Sequence, residues 1–160
     1  MRNLTQADIA SLTRILEATG AFNPEEIDCA LELLRIVLND KAQKDYEVRV
    51  SEVDGAVEGY VLFGPVPLTE GNFDIYWIAT DPRLHGQGRG RALMEAVEAE
   101  LRGRGARMIC LETSSQGSYA RTRSFYEKGG YEEEARIRDF YRTGDDRITY
   151  VKRLSTTQEG

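Results

Sequence analysis

Gly86, Gly88 and Gly90 alternate with Gln87, Arg89 and Arg91, and His85 stands just ahead of them. Glycines at that spacing let main-chain N–H groups converge and let a ligand approach the backbone. The apolar-periodic run that begins at Ala92 predicts a helix whose positive end adds to the same spot. Such a construction holds a phosphate or pyrophosphate. The chain is therefore expected to bind a phosphate-bearing cofactor here and to carry out chemistry beside it.

The elements that must position this loop come next. Ahead of it, residues 73–79 are apolar on both faces except for Asp74, which predicts a central strand, and Asp81-Pro82 supplies a turn. After it, Leu93, Met94, Val97 and Leu101 form the buried stripe of a helix over residues 88–104, with Glu95, Glu98, Glu100 and Arg102 expected to face out. Met108–Thr113 is a further buried strand. Strand, helix and strand at this spacing form a βαβ unit, so the two strands should be parallel.

Upstream, Thr5 to Asp8 reads as a variant capping box, with Ile9, Leu12, Ile15 and Leu16 at helical spacing and Gly20 as the stop. Asn23-Pro24-Glu25-Glu26 starts a second helix, which Asn39-Asp40 ends. Arg2–Leu4 reads as a short edge strand. Residues 46–53 and 57–63 are strands joined by an Asp54-Gly55 hairpin turn. Downstream, a helix over 119–128 carries Phe125 and Tyr126, and residues 131–138 and 147–154 form a terminal hairpin. Residues 1–154 are expected to be one domain, and 155–160 a disordered tail.

At 160 residues the chain is long enough for one full core. A net charge of −6 argues against general nucleic-acid binding, which depends on neutralising phosphates. No apolar run approaches the ~20 residues that span a bilayer, so no membrane partner is expected. Cys29 and Cys110 lie far apart without metal spacing, in apolar-periodic segments. They are expected to be reduced core residues in a cytoplasmic protein, and no metal is expected.

Three phosphate sites compete for the glycine loop. A P-loop needs Gly-Lys followed by Ser or Thr, which is missing here. A dinucleotide fold needs G-x-G-x-x-G opening the first βαβ unit, whereas this loop is G-x-G-x-G after three earlier strands. The third is acyl-CoA binding. His85-Gly-Gln-Gly-Arg-Gly90 resembles the [Q/R]-x-x-G-x-[G/A] signature of the GNAT superfamily of N-acetyltransferases. Tyr76-Trp-Ile-Ala-Thr-Asp-Pro82 looks like the strand before that signature, and Arg123-Ser-Phe-Tyr-Glu-Lys-Gly-Gly-Tyr131 is similar to the family's tyrosine helix. The order of elements matches across residues 1–154. Two positions depart from the pattern: His85 replaces the Gln or Arg, and Tyr119 stands where many members carry Asn.

The resemblance implies an α/β (α+β mixed) GNAT fold: a central, twisted, mostly antiparallel sheet with one parallel, splayed strand pair and helices on both faces. It implies direct acetyl transfer from acetyl-CoA to a primary amine, on a small molecule or a peptide. In the family, the splayed strand pairs through its main chain with the cofactor's pantetheine arm, here through Ile78, Ala79 and Thr80. Unpaired N–H groups in the splay would stabilise the oxyanion formed at the thioester carbonyl. The pyrophosphate would lie on the N–H groups from Gly86 to Arg91, with His85, Arg89, Arg91 and the Tyr119 hydroxyl as further contacts. Tyr126 matches the residue that protonates the leaving thiolate, and a phenol of pKa ~10 can share a proton with a thiol of ~8.5.

Glu112 is the leading general base, an acid at the carboxyl end of an apolar strand whose partial burial would raise its pKa. Asp74, Glu70 and a water chain are the rivals. Acceptor recognition is expected in the loops around Phe22, Leu68–Asn72 and Asp139–Asp146. The alternative is a GNAT-like module that binds acyl-CoA without catalysis. The oligomeric state stays open, although a homodimer is frequent in the family.

Overall fold

The computed structural model describes residues 1–154; the stretch read as a tail lies outside the described residues. The elements run β1 (Arg2–Asn3), α1 (Asp8–Ala18), α2 (Pro24–Asn39), β2 (Glu47–Val53), β3 (Ala56–Pro65), β4 (Asn72–Thr80), α3 (Arg89–Gly103), β5 (Met108–Ser114), α4 (Ala120–Lys128), β6 (Glu132–Arg142) and β7 (Asp145–Arg153). They build one seven-stranded sheet in the order β1-β2-β3-β4-β5-β7-β6. Every neighbouring pair is antiparallel except β4 and β5, which are parallel as expected of a βαβ unit.

Local sequence explains most boundaries. Asn23 caps α2 by accepting from the Glu26 N–H, and the Glu26 side chain accepts from the Asn23 N–H, closing a full capping box ahead of Pro24. The box foreseen at Thr5–Asp8 is half formed. Asp8 accepts from the Thr5 N–H at 2.8 Å, but the Thr5 hydroxyl donates to Asp8 instead of capping, because Asp8 is buried against Arg2. Asp54 and Gly55 both take positive φ, as the two-residue turn between β2 and β3 requires.

The sheet has a core on each face. α1 and α2 cover one with Leu12, Leu16, Leu34, Val48, Val50, Tyr60 and Leu62. α3 and α4 cover the other with Val61, Phe73, Leu93, Val97, Leu101, Ile109, Leu111 and Tyr126. β6 is exposed along its whole length and closes the sheet as an edge.

Two expectations fail for tertiary reasons. Glu98 does not face out; it is 4% exposed. Its charge is met by Lys152 Nζ at 2.8 Å, and it accepts from the Tyr131 hydroxyl at 3.1 Å. Cys29 is exposed and not a core residue, because the apolar stripe of α2 turns the neighbouring Ala30, Leu31 and Leu34 inward instead. Cys110 is half-buried, and both thiols are free. No helix among the described residues is long and apolar enough to cross a membrane.

Candidate functional site

β4 carries the central irregularity of the molecule. Leu62 and Phe63 are consecutive on β3, yet their partners on β4 are Trp77 and Ile75, which leaves Tyr76 as an extra, bulged residue. The bulge reverses the phase of the strand. Phe73 and Ile75 point into the core under α3 and α4, whereas Trp77 and Ala79 point into the core under α1 and α2. A strand apolar on both faces is therefore two half-strands of opposite phase. The bulge also marks where β4 leaves β5. Their pairing runs only from Asn72–Met108 to Ile75–Leu111, and beyond it the strands diverge.

That divergence frees main-chain groups. The Asp81 N–H donates to the Glu58 carbonyl at 2.7 Å. The alternation of an antiparallel ladder then gives Ala79 to β3 and turns the N–H and C=O of Ile78 and Thr80 toward the gap. Of the three residues expected to offer main-chain pairing there, Ile78 and Thr80 turn their main-chain groups to the gap and Ala79 turns its own to β3.

The glycine loop leads from the same strand into α3. Asp81 anchors it: nearly buried, it accepts from the Arg83 main chain and guanidinium at 3.0 and 2.6 Å, which holds its carboxyl well below the usual carboxylate range. Gly86 and Gly88 take φ of 80° and 76°, a conformation that costs a side-chain-bearing residue about 1–2 kcal/mol. The His85 N–H is spent on Pro82 and the Gln87 N–H on Leu84, so neither is offered outward. The N–H groups of Gly86 and Gly88 make no hydrogen bond among the described residues. Those of Arg89, Gly90 and Arg91 form the unpaired first turn of α3, whose first helical bond runs from Ala92 to Gly88. Five converging N–H groups beside an open strand edge fit a pyrophosphate followed by an extended arm.

The side chains there are partly committed elsewhere. Arg91 donates to the Lys128 carbonyl at 2.9 Å and lies over the Phe125 ring, tying α3 to α4. Arg89 stands 3.5 Å from Glu58. His85 is exposed and its ring makes no hydrogen bond among the described residues. Tyr119 is half-buried; burial and then Glu26 at the start of α2 push its pKa up. Asp145 acts in the same direction and Arg142 in the opposite one.

Tyr126 sits on α4 among Phe125, Tyr131 and Tyr150, with ring centroids 5.7–6.2 Å away. It is 8% exposed, its hydroxyl makes no hydrogen bond among the described residues, and burial alone pushes its pKa up to about 12. Glu112 lies on the opposite face of the sheet, one residue past Leu111, where the gap begins. Its side chain is 52% exposed, so the expected partial burial is not found; Arg147 Nε approaches it at 3.8 Å. Asp74 is the more enclosed acid. Burial first, and the nearby Glu112 charge second, push its carboxyl up, with Tyr76 acting in the opposite direction.

Glu70 and the Leu68–Asn72 loop sit at the closed end of the strand pair. Their carbonyls take the Arg107 side chain and the Arg107 and Met108 N–H groups, which removes both from the gap. Phe22, by contrast, packs on Trp77 at 5.1 Å, beside the diverging half of β4. Phe140 falls within the expected Asp139–Asp146 acceptor stretch, whereas Arg147, whose guanidinium lies 4.4 Å from the Phe140 ring centroid, was not singled out from the sequence. Only the register of β7 on β5, which sets Arg147 opposite Ser114, brings them to Glu112. No group of three or more potential metal-ligating side chains is gathered among the described residues.

Known proteins carry the same architecture. The family model for an acetyltransferase (GNAT) domain matches residues 44–133. A GNAT-family protein from Desulfovibrio desulfuricans superposes with a TM-score of 0.91 at 39% identity, covering 96% of this chain and 98% of that one. The [ribosomal protein bS18]-alanine N-acetyltransferase of Escherichia coli K12 is 38% identical over 73 residues, 46% of this chain and 48% of that protein. The match thus spans about half the length of that curated relative. PaiA N-acetyltransferase from Thermoplasma acidophilum, solved in complex with coenzyme A, shares the fold with a TM-score of 0.73 at 17% identity, over 96% of this chain and 97% of that one.

Proposed function

The chain belongs to the GNAT acetyltransferase family, and from that premise we propose that it transfers an acetyl group from acetyl-CoA directly to a primary amine. The observation that carries this reading is the opening of β4 from β5 after Ile75 and Leu111, with free main-chain groups on one edge and the unpaired N–H groups of α3 at its mouth. Bound there, acetyl-CoA would supply an activated thioester.

The chain's own residues would do the following. Gly86 and Gly88 to Arg91 hold pyrophosphate through their N–H groups, and Ile78 and Thr80 align the arm that follows. Tyr126, kept protonated by burial, donates its hydroxyl proton to the departing sulfur. Glu112, at the solvent side of the gap, takes the proton that the acceptor ammonium must lose, with Asp74 beside it. Holding the two reactants on either side of one gap supplies the proximity that direct transfer needs. The acceptor is a small molecule or a peptide. The two free thiols support a cytoplasmic setting.

Thiol release from acetyl-CoA across an amine panel tests the reading. Turnover with at least one amine, abolished by removing the Tyr126 hydroxyl, is the expected result. Coenzyme A binding with no thiol release for any amine would reassign the domain as an acyl-CoA-binding module.

A further inference from the structure

Arg147 occupies an unusual position. It lies on β7 opposite Ser114, on the face of the sheet that also carries Glu112. Its guanidinium carbon lies over the Phe140 ring, 4.4 Å from the centroid. Its Nε is buried without a partner, and none of its N–H groups donates a hydrogen bond among the described residues. Glu112 Oε1 is 3.8 Å from Nε, too far for a hydrogen bond. Three arginines of the surrounding elements are committed: Arg136 to Glu133 and Asp146, Arg153 to Glu134, Arg123 to two main-chain carbonyls. A half-buried guanidinium with unspent donors is costly unless water or a ligand oxygen completes it. It stands beside the carboxylate assigned above to the acceptor amine.

Resting on that assignment, we propose that Glu112 and Arg147 together read an α-aminoacyl head group: the amine is bound at Glu112, and a carbonyl or carboxylate oxygen on the adjacent carbon is bound by Arg147. In such a unit, the nitrogen and oxygen lie about 3 Å apart by standard bond lengths. The two side chains, 3.8 Å apart, can address both ends at once. Arg suits the role because its planar fork grips such oxygens, and stacking on Phe140 pre-orients it. The acceptor is therefore a free amino acid or the first residue of a peptide, and not an amine lacking that oxygen.

The experiment compares three forms of one side chain in steady-state thiol release: phenylalanine, a tripeptide beginning with phenylalanine, and phenethylamine. The same set is repeated with alanine and lysine side chains. The expected result is that kcat/KM for the amino acid or the tripeptide exceeds that for the plain amine. Arg147→Ala should cut this ratio at least about tenfold, as loss of a charge-assisted hydrogen bond would. Arg147→Lys, which keeps the charge but not the fork, should recover part of it. Whichever oxygen-bearing form dominates identifies the source. An equal loss across all three forms, or no preference in the wild-type protein, overturns the proposal. If no amine releases thiol, the transferase reading fails on its own. Calorimetric binding of the amino acid and the tripeptide to wild-type and Arg147→Ala protein, with coenzyme A present, then decides the inference separately: weaker binding in the variant supports it, and equal or no binding refutes it.

Discussion

Tyr126 and Glu112 face opposite sides of the sheet, one on each side of the opening where β4 parts from β5. A thioester reaching Tyr126 from the α3–α4 face and an amine reaching Glu112 from the other face do not compete for space. Both are present when the reaction occurs. Initial-rate measurements with both substrates varied should give intersecting double-reciprocal lines, the pattern of a ternary complex; parallel lines would mean a covalent acetyl-enzyme. Cys110, paired in register with Asp74 and pushed above the usual thiol range mainly by burial, is the nearest thiol. Cys110→Ser should keep kcat within about twofold, far from the loss that removing a nucleophile brings.

Tyr126→Phe isolates one proton. Because the hydroxyl has no partner among the described residues, its removal leaves nothing unpaired, and the melting temperature should stay within about 2 °C. The expected loss in kcat is about 10²–10⁴-fold, with the affinity for coenzyme A little changed. A pKa pushed up to about 12 keeps the wild-type phenol protonated through the working range. The wild-type rate should therefore show no alkaline decline below about pH 10 that the variant lacks.

Glu112→Gln should lower kcat/KM by about 10²-fold. Its effect on pH dependence separates the two acids. Glu112's charge helps hold Asp74 above its ordinary range. Removing that charge lets Asp74 ionise at lower pH. If the residual activity of Glu112→Gln uses Asp74, its acid limb should move down by comparison with wild type. An unmoved limb would assign the residual rate to water.

Gly88→Ala tests the loop. At a φ of 76°, the added methyl costs about 1–2 kcal/mol, either as lost stability or as a distorted cradle. Calorimetric titration with coenzyme A should show a Kd raised about five- to thirtyfold if the cradle moves. A variant with unchanged affinity and unchanged melting would contradict the proposed phosphate site.

Asp8 makes a stability prediction remote from the chemistry. Its hydrogen bonds from Arg2 lower its pKa to about 2 from 3.8. A depressed carboxyl contributes stability that is present above the unfolded value and lost as pH falls through the folded one. Asp8→Asn should therefore cost about 2 kcal/mol at pH 7. The gap between variant and wild type in thermal melts should close between about pH 4 and pH 2.

The features legible in the sequence are those set by neighbours in the chain. Asn23 and Glu26 cap α2, Asp54-Gly55 turns the hairpin, and the glycines lead into α3, all through contacts a few residues long. What was illegible depends on register between distant strands. Glu98 is satisfied by Lys152, fifty-four positions away. Glu70 sits at the paired end of β4 and β5, where Arg107 donates to its main-chain carbonyl. Arg147 reaches Glu112 only through the pairing of β7 with β5. The bulge at Tyr76 leaves no compositional trace, because the two half-strands together read as one strand apolar on both faces.

That bulge makes the gap a matter of counting. Tyr76 is exposed, with its ring on Tyr46 and its side chain hydrogen-bonded to Asp74, so its identity bears on that acid while its presence as an extra residue sets the bulge. Deleting it is another matter. The ladder to β3 would then run unbroken with Trp77 and Ala79 still opposite Leu62 and Tyr60, and the local bend where β4 leaves β5 would be lost. The site would close without the loss of any residue proposed for the chemistry. A lineage carrying this fold should therefore vary more in what stands at that point than in how many residues lie between the start of β4 and the glycine loop.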